Sequence, residues 1–136
     1  MSDPSPGSTA SARLTVGPQD LASSVGLDPG DEFPGVFATA RLVALMEIAS
    51  ARILRPHLAP GELSVGVSID VAHTAATPPG ATVTATASFV RKEGKLFLFE
   101  VLAVDGAGEI GRGTHRRAIV SSDRLVSGAR ARHGEE

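Results

Sequence analysis

The stretch FATARLVALMEIASARI, Phe37 to Ile53, holds a single polar residue, Glu47, between Leu42 and Ala49. Apolar side chains recur there at spacings of three and four, the mark of a helix that buries a face. Pro34-Gly35 lead into it, and Pro56 and Pro60-Gly61 stop it, so the spacing predicts a helix over roughly 36–57. A carboxylate in the middle of a buried helix is costly unless it is paired, hydrogen-bonded or neutralised. Either Glu47 is less buried than the run suggests or it is there for chemistry.

Downstream the period changes from helical to two. In LSVGVSIDVAH, residues 63–73, the apolar Leu63, Val65, Val67, Ile69 and Val71 alternate with small or polar neighbours, as on a half-buried strand. ATVTATASFV (81–90) alternates again with Thr and Ser on the wet face. KLFLFEVLAV (95–104) is almost continuously apolar, like a central strand covered on both faces. EIGRGTHRRAIV (109–120) is the last strand. The links TPPG, KEG and DGAG suit turns between neighbouring antiparallel strands. Upstream, ARLTVG (12–17) reads as a short edge strand. Residues 18–35 read as a long loop with one helical turn near Leu21–Val25, a length typical of lids and binding loops. One long helix followed by antiparallel strands is an α+β layer architecture.

Composition bounds the function. At 136 residues, with 42% apolar and 21% charged, the chain is long enough for one core. It divides into a disordered N-terminal tail (1–11, rich in Ser, Pro and Gly), a single domain over 12–126, and a flexible C-terminal tail (127–136). A net charge of −2 and a pI near 6.1 lack the footprint of a nucleic-acid binder, and five Phe without Tyr or Trp make no base-stacking platform. The absence of Cys removes disulfides, thiolate nucleophiles and Cys-based metal sites. The start lacks a signal-peptide run and no stretch is apolar enough to span a membrane. The expectation is a cytoplasmic domain with no nucleic-acid or membrane partner.

The chemistry-bearing residues are few. Residues three and four from Glu47 are Val43, Ala44, Ser50 and Ala51, a small face that permits close approach. The structural reading pairs Glu47 with an arginine such as Arg52 or Arg117. The functional one makes it a desolvated carboxylate, a general base or nucleophile. Thr39 near the helix start suits a cap or a β-branched filler. His73 continues the odd-numbered face of the first long strand and so points inward, where a core histidine is the common case. An inward Thr, Glu and His together are also the parts of an acyl-transfer site. The His residues lack a zinc pattern, and GAGEIGRG is a turn into a strand with no helix after it, not a nucleotide fingerprint.

Three blocks, EFPGVFATARLVALMEIASARILRPHLAPGE, VAHTAATPPGATVTATA and GAGEIGRGTHRRAIV, resemble in register the fluoroacetyl-CoA thioesterase-like hot-dog family over about Glu32 to Val120. The resemblance implies one central helix wrapped by a curved antiparallel sheet, a homodimer, and acyl-CoA hydrolysis without metal or cofactor. It implies a catalytic group at Thr39, Glu47 and His73, and substrate contacts at Gly66, Arg117 and the lid residue Phe33. A second lid phenylalanine of the family falls on Gly30, and the region around Leu21 and Leu27 does not align. The expected activity is hydrolysis of a short-chain acyl-CoA, with fluoroacetyl-CoA among the candidates. The alternatives are a hot-dog dehydratase or hydratase and a non-catalytic acyl-CoA-binding dimer.

Overall fold

The computed structural model describes residues 3–135, and its elements follow the predicted order. Strand β1 (Thr9–Thr15) leads through two short 3-10 turns to helix α1 (Thr39–Leu54), which ends in a 3-10 turn at Arg55–His57. Strands β2 (Glu62–His73), β3 (Thr82–Glu93), β4 (Leu96–Asp105) and β5 (Gly108–Ser121) follow, and helix α2 (Ser122–Arg132) closes the chain. The strands form one antiparallel sheet in the order β1-β3-β4-β5-β2. Among the described residues, no helix is long and apolar enough to cross a membrane.

The helix forms where its apolar spacing meets the sheet. Leu42, Leu45, Met46, Ala49, Ile53 and Leu54 are buried on one face of α1. Each such large side chain contributes roughly 1.5–3 kcal/mol on burial. Opposite them stand Val83, Phe89, Phe97, Phe99, Val101 and Ile110 from the sheet. The helix begins at Thr39, not at 36, because Phe37 and Ala38 are held extended: their N–H groups donate to Thr77 and Asp20 carbonyls, both at 2.9 Å.

Three features of the sheet differ from expectation. TPPG does not join neighbours, since β2 crosses to the far edge beside β5 while β3 pairs with β1. A bulge between Gly66 and Ser68 shifts the β2–β5 register, so the even residues Ser64 and Gly66 face the helix before it and Ile69, Val71 and His73 after it. Leu63 and Val67, expected inward, are therefore 55% and 53% exposed on an open sheet edge. In β4 only the first half is covered on both faces; from Glu100 onward exposed and buried residues alternate. Further bulges in β3 and near the start of β5, at Ile110, add to the curl with which the sheet wraps α1.

Both expected tails are shorter than read. Thr9–Ser11 belong to β1, paired with Ser88, Ala87 and Thr86. Residues 122–132 are helical, started by the Ser121 side chain accepting from the Arg124 N–H at 3.3 Å. This helix buries no residue, so it carries no apolar stripe for a sequence reading to find. Residues 1, 2 and 136 of the expected tails lie outside the described residues.

Gly113 marks the tightest strand packing. A Cβ there would overlap the Asp70 backbone carbonyl, which cannot swing aside. Gly113→Ala should lower the unfolding free energy by about 1–3 kcal/mol, the usual cost of overpacking, read from the denaturant midpoint.

Candidate active site

Two clusters of polar side chains lie against α1. At the helix start Thr39 Oγ1 lies 2.8 Å from His73 Nδ1, so the last residue of β2 is joined to the first residue of the helix. The Phe37 ring meets the imidazole edge-on, with centroids 6.4 Å apart. A cleft of about 390 Å³ opens here, lined by Val36, Phe37, Thr39, His73 and Thr74 among others. His73 Nε2 is buried and, among the described residues, has no hydrogen-bond partner. Thr39 is not the cap of the helix; Ala38 is, and no side chain caps it. No cap side chain therefore offsets the positive end of the helix dipole, while within the first turn the Arg41 N–H donates to the Ala38 carbonyl at 3.0 Å.

Two turns further along, Glu47 faces β5 and β2. Its Oε1 accepts from Arg117 Nη1 at 3.1 Å and lies 3.9 Å from His115 Nε2. Arg117 is buried, at 7% exposure, and its remaining bonds go to Ser64 Oγ, the Ser64 carbonyl and His115 Nε2, at 3.0, 3.0 and 3.1 Å. Burial lowers the Arg117 pKa, and the Glu47 carboxylate beside it works in the opposite direction. The predicted arginine partner of Glu47 is thus Arg117; Arg52 turns away to the Ser11 carbonyl.

The question posed by the apolar run has a structural answer. Met46 and Ala49 are fully buried, but the Glu47 side chain is 40% exposed and borders a cleft of about 270 Å³ with Val43, Gly66, Val67, Ser68, Ile69 and His115. All of its described polar contacts engage Oε1. Gly66 is required for this placement, since a Cβ at that position would overlap Glu47 Oε1. Phe33 is half exposed and lines a smaller cleft with Ala22, Val25, Ala38, Thr39 and Ala40, beside the helix start. The long loop is pinned at its base: Ala22 and Ser23 N–H donate to the Val36 and Pro34 carbonyls. Around Gly30 there is open space.

In a single chain, then, Thr39 and His73 come together, Glu47, Gly66 and Arg117 come together, and no described contact joins the two groups. Sequence reasoning missed His115, which is 1% exposed. Its Nδ1 lies 2.8 Å from the Ser68 carbonyl. The available signal was the period of two: His115 and Arg117 are alternate residues of β5 and share a face.

The geometry can be set beside known proteins. The family model described as fluoroacetyl-CoA-specific thioesterase matches residues 16–123. The fluoroacetyl-CoA thioesterase of Streptantibioticus cattleyicolor is 52% identical over 94 residues, which is 69% of this chain and 68% of that protein. The crystal structure of a phenylalanine-to-alanine mutant of a fluoroacetyl-CoA-specific thioesterase aligns with a TM-score of 0.91 and 40% identity, over 97% of this chain and 99% of the other. A hot-dog-like protein from Thermanaerovibrio acidaminovorans aligns with a TM-score of 0.79 and 28% identity, over 96% and 93% of the two chains. The hot-dog architecture expected from the sequence is the one observed.

His115 gives the fold a pH dependence. Burial, with the nearby Arg117 charge, holds its pKa below the ordinary 6.5, against the opposing pull of the Ser68 carbonyl and Glu47. The unfolded chain therefore binds a proton at higher pH than the folded one, and stability rises with pH in that interval. The His115 contribution is fully present above about pH 6.5 and is lost as pH falls below it. Carboxylates whose pKa is lowered, such as Asp105 held chiefly by the Thr77 hydroxyl, act only in more acid solution. Unfolding free energies measured from pH 8 to pH 5 should fall below about pH 6.5, and His115→Gln should flatten that fall.

Proposed function

The chain belongs to the fluoroacetyl-CoA-specific thioesterase family, and we propose that it hydrolyses a short-chain acyl-CoA to the free acid and CoA, with Thr39, Glu47 and His73 as its catalytic group. The observation that carries this reading is Glu47, anchored at Oε1 by a buried arginine while its side chain stays 40% exposed beside a cleft. A carboxylate so held is oriented without being consumed by its ion pair.

The chemistry follows from the groups present. Glu47 supplies the electron pair, directly to the thioester carbonyl or by taking a proton from the attacking water. Negative charge then develops on the carbonyl oxygen, and the uncapped N-terminus of α1 offers N–H groups and a favourable dipole to receive it. The C–S bond breaks as the carbonyl re-forms, and CoA departs as a thiolate or, with a proton from His73, as a thiol; in the direct route this leaves an acyl–Glu47 anhydride, which water then cleaves to the free acid and the restored carboxylate. Thr39 fixes the imidazole through its 2.8 Å contact with Nδ1, which leaves Nε2 to face the reaction. Phe33, Gly66 and Arg117 border the acyl group in this reading. Gly30 in place of a second lid phenylalanine leaves the entrance wider, which suits short acyl groups generally, fluoroacetyl among them. The expected cytoplasmic location belongs to the same proposal.

The working unit in this proposal is a two-fold dimer with shared sites. Thr39 and Glu47 are eight residues apart in one helix, about 12 Å of rise and about 80° of rotation. Neither side chain spans that gap. Antiparallel packing of two copies brings the start of one α1 toward the middle of the other, over the small face at Ala44 and Ala51. The open edge of β2 with exposed Leu63 and Val67, exposed Ile48 on α1, and the unpartnered His73 Nε2 all support a second copy here. The Thr39–His73 pair of one protomer would then meet Glu47 of its partner.

Glu47→Gln, nearly isosteric, should lower kcat by about two orders of magnitude or more, followed as free thiol released from acetyl-CoA. Wild-type turnover in that variant would make the carboxylate purely structural. Sharing is tested by mixing Thr39→Ala and Glu47→Gln subunits: half of the exchanged dimers are heterodimers with one intact site of two, so up to about a quarter of wild-type activity should return. Demonstrated subunit exchange with no recovery excludes the shared arrangement.

A further inference from the structure

We propose that His115 is a positioning residue of the site, holding the Arg117 guanidinium against Glu47 Oε1 while it secures the β2 bulge that opens Gly66 to the carboxylate. The proposal rests on the functional reading above, but its geometry stands apart from it. His115 sits on β5 between two polar anchors. Nδ1 is 2.8 Å from the Ser68 carbonyl, an acceptor only, so Nδ1 must carry the proton. Nε2 is then a lone pair, and Arg117 Nη1, a donor only, supplies its proton at 3.1 Å. The two contacts together permit one tautomer, the neutral ring protonated at Nδ1.

Each end of that ring fixes something Glu47 needs. Ser68 is the first paired residue after the bulge, where the β2 register jumps from Gly66↔Arg117 to Ser68↔Arg116. The bond to its carbonyl holds the kink, and the kink turns Gly66, with no Cβ, toward Glu47 Oε1. At the other end Nε2 takes one Nη1 hydrogen of Arg117 and leaves the second directed at Glu47. The guanidinium is thereby clamped between Ser64 on β2 and His115 on its own strand.

The charged groups facing the imidazole are Glu47 from α1 and Arg117 from β5; β2 presents the Ser68 carbonyl and β4 the Phe99 ring, 6.4 Å between centroids. A proton on Nε2 would set two N–H groups against each other and draw the ring toward Glu47 Oε1, 3.9 Å away, displacing Arg117. Activity should therefore show an acid limb that belongs to His115 rather than to the proposed catalytic group.

The test uses two half-mimics in the full chain. His115→Asn can still donate to Ser68 but offers nothing to Arg117. His115→Gln can place an amide oxygen where Nε2 accepts. With acetyl-CoA and a thiol reagent, His115→Asn should lose at least about tenfold in kcat with KM within about threefold, and His115→Gln, which keeps the acceptor for Arg117 but gives up the Ser68 bond, should recover part of that loss and flatten the acid limb. A folded Asn variant with wild-type kcat, or a loss confined to KM, overturns the proposal. Two readouts need no turnover. Nitrogen-15 NMR of wild type should show His115 protonated at Nδ1 only at neutral pH, and hydrogen exchange at Arg117 Nε should quicken at least about tenfold in His115→Asn but not in His115→Gln. An Nε2-protonated ring overturns the proposal even if the Asn variant fails to fold. If wild type releases no thiol from any short acyl-CoA, the functional reading fails, and these two NMR measurements alone decide the positioning role.

Discussion

The cation buried between the sheet and α1 is the constraint from which the rest of the site follows. Arg117 sits almost wholly out of water, where an unpaired guanidinium costs several kcal/mol. Its partners come from three elements: Ser64 from β2, His115 from β5 and Glu47 from α1. Satisfying them simultaneously fixes the height of the helix over the sheet and the rotation that presents Glu47. Apolar packing of α1 against Val83, Phe99 and Val101 supplies the driving force but not that register, because dispersion and burial are non-directional. The polar pair costs desolvation and returns geometry.

The fold was legible where period and burial agree. The stripe from Leu42 to Ile53 and the alternation in β3 each point to one face and one core, and both were read with their ends within about three residues. Reading failed where a local device overrides the period. In β2 the alternation runs unbroken through Val67, yet the bulge gives that residue no place in the ladder and turns Leu63 outward. The warning was Gly66, since an isolated glycine inside a strand often marks a bulge or a close approach, and here it marks both. The crossover of β2 to the far edge was not legible either, because TPPG is as good a connection as it is a hairpin turn.

For the candidate site, the sequence offered individual residues but not their grouping. Glu47 drew attention as a polar residue inside an apolar run, and His73 as the end of an inward face. Nothing in sequence spacing says that Arg117 would claim one oxygen of Glu47 while Thr39 claims His73. That partition depends on where β2 crosses α1, a tertiary distance. His115 escaped notice for a related reason: among THRR it reads as one polar residue in a polar run of the last strand, and the pleat puts it on the buried face with Arg117.

The separation of the two groups also bears on how such a site can be stable before substrate arrives. A carboxylate, an imidazole and a hydroxyl placed in mutual contact within one chain would satisfy one another, and a substrate would have to break those bonds to enter. Here the carboxylate is held by Arg117 rather than by the imidazole, and the imidazole by Thr39 at Nδ1 and by the Phe37 ring edge. His73 Nε2 is left without a partner among the described residues, and the Glu47 side chain stays 40% exposed at its cleft. A buried nitrogen without a partner is unfavourable by about 1–3 kcal/mol. The fold retains that cost at His73, which a group from outside the chain, as in the shared site proposed above, would relieve.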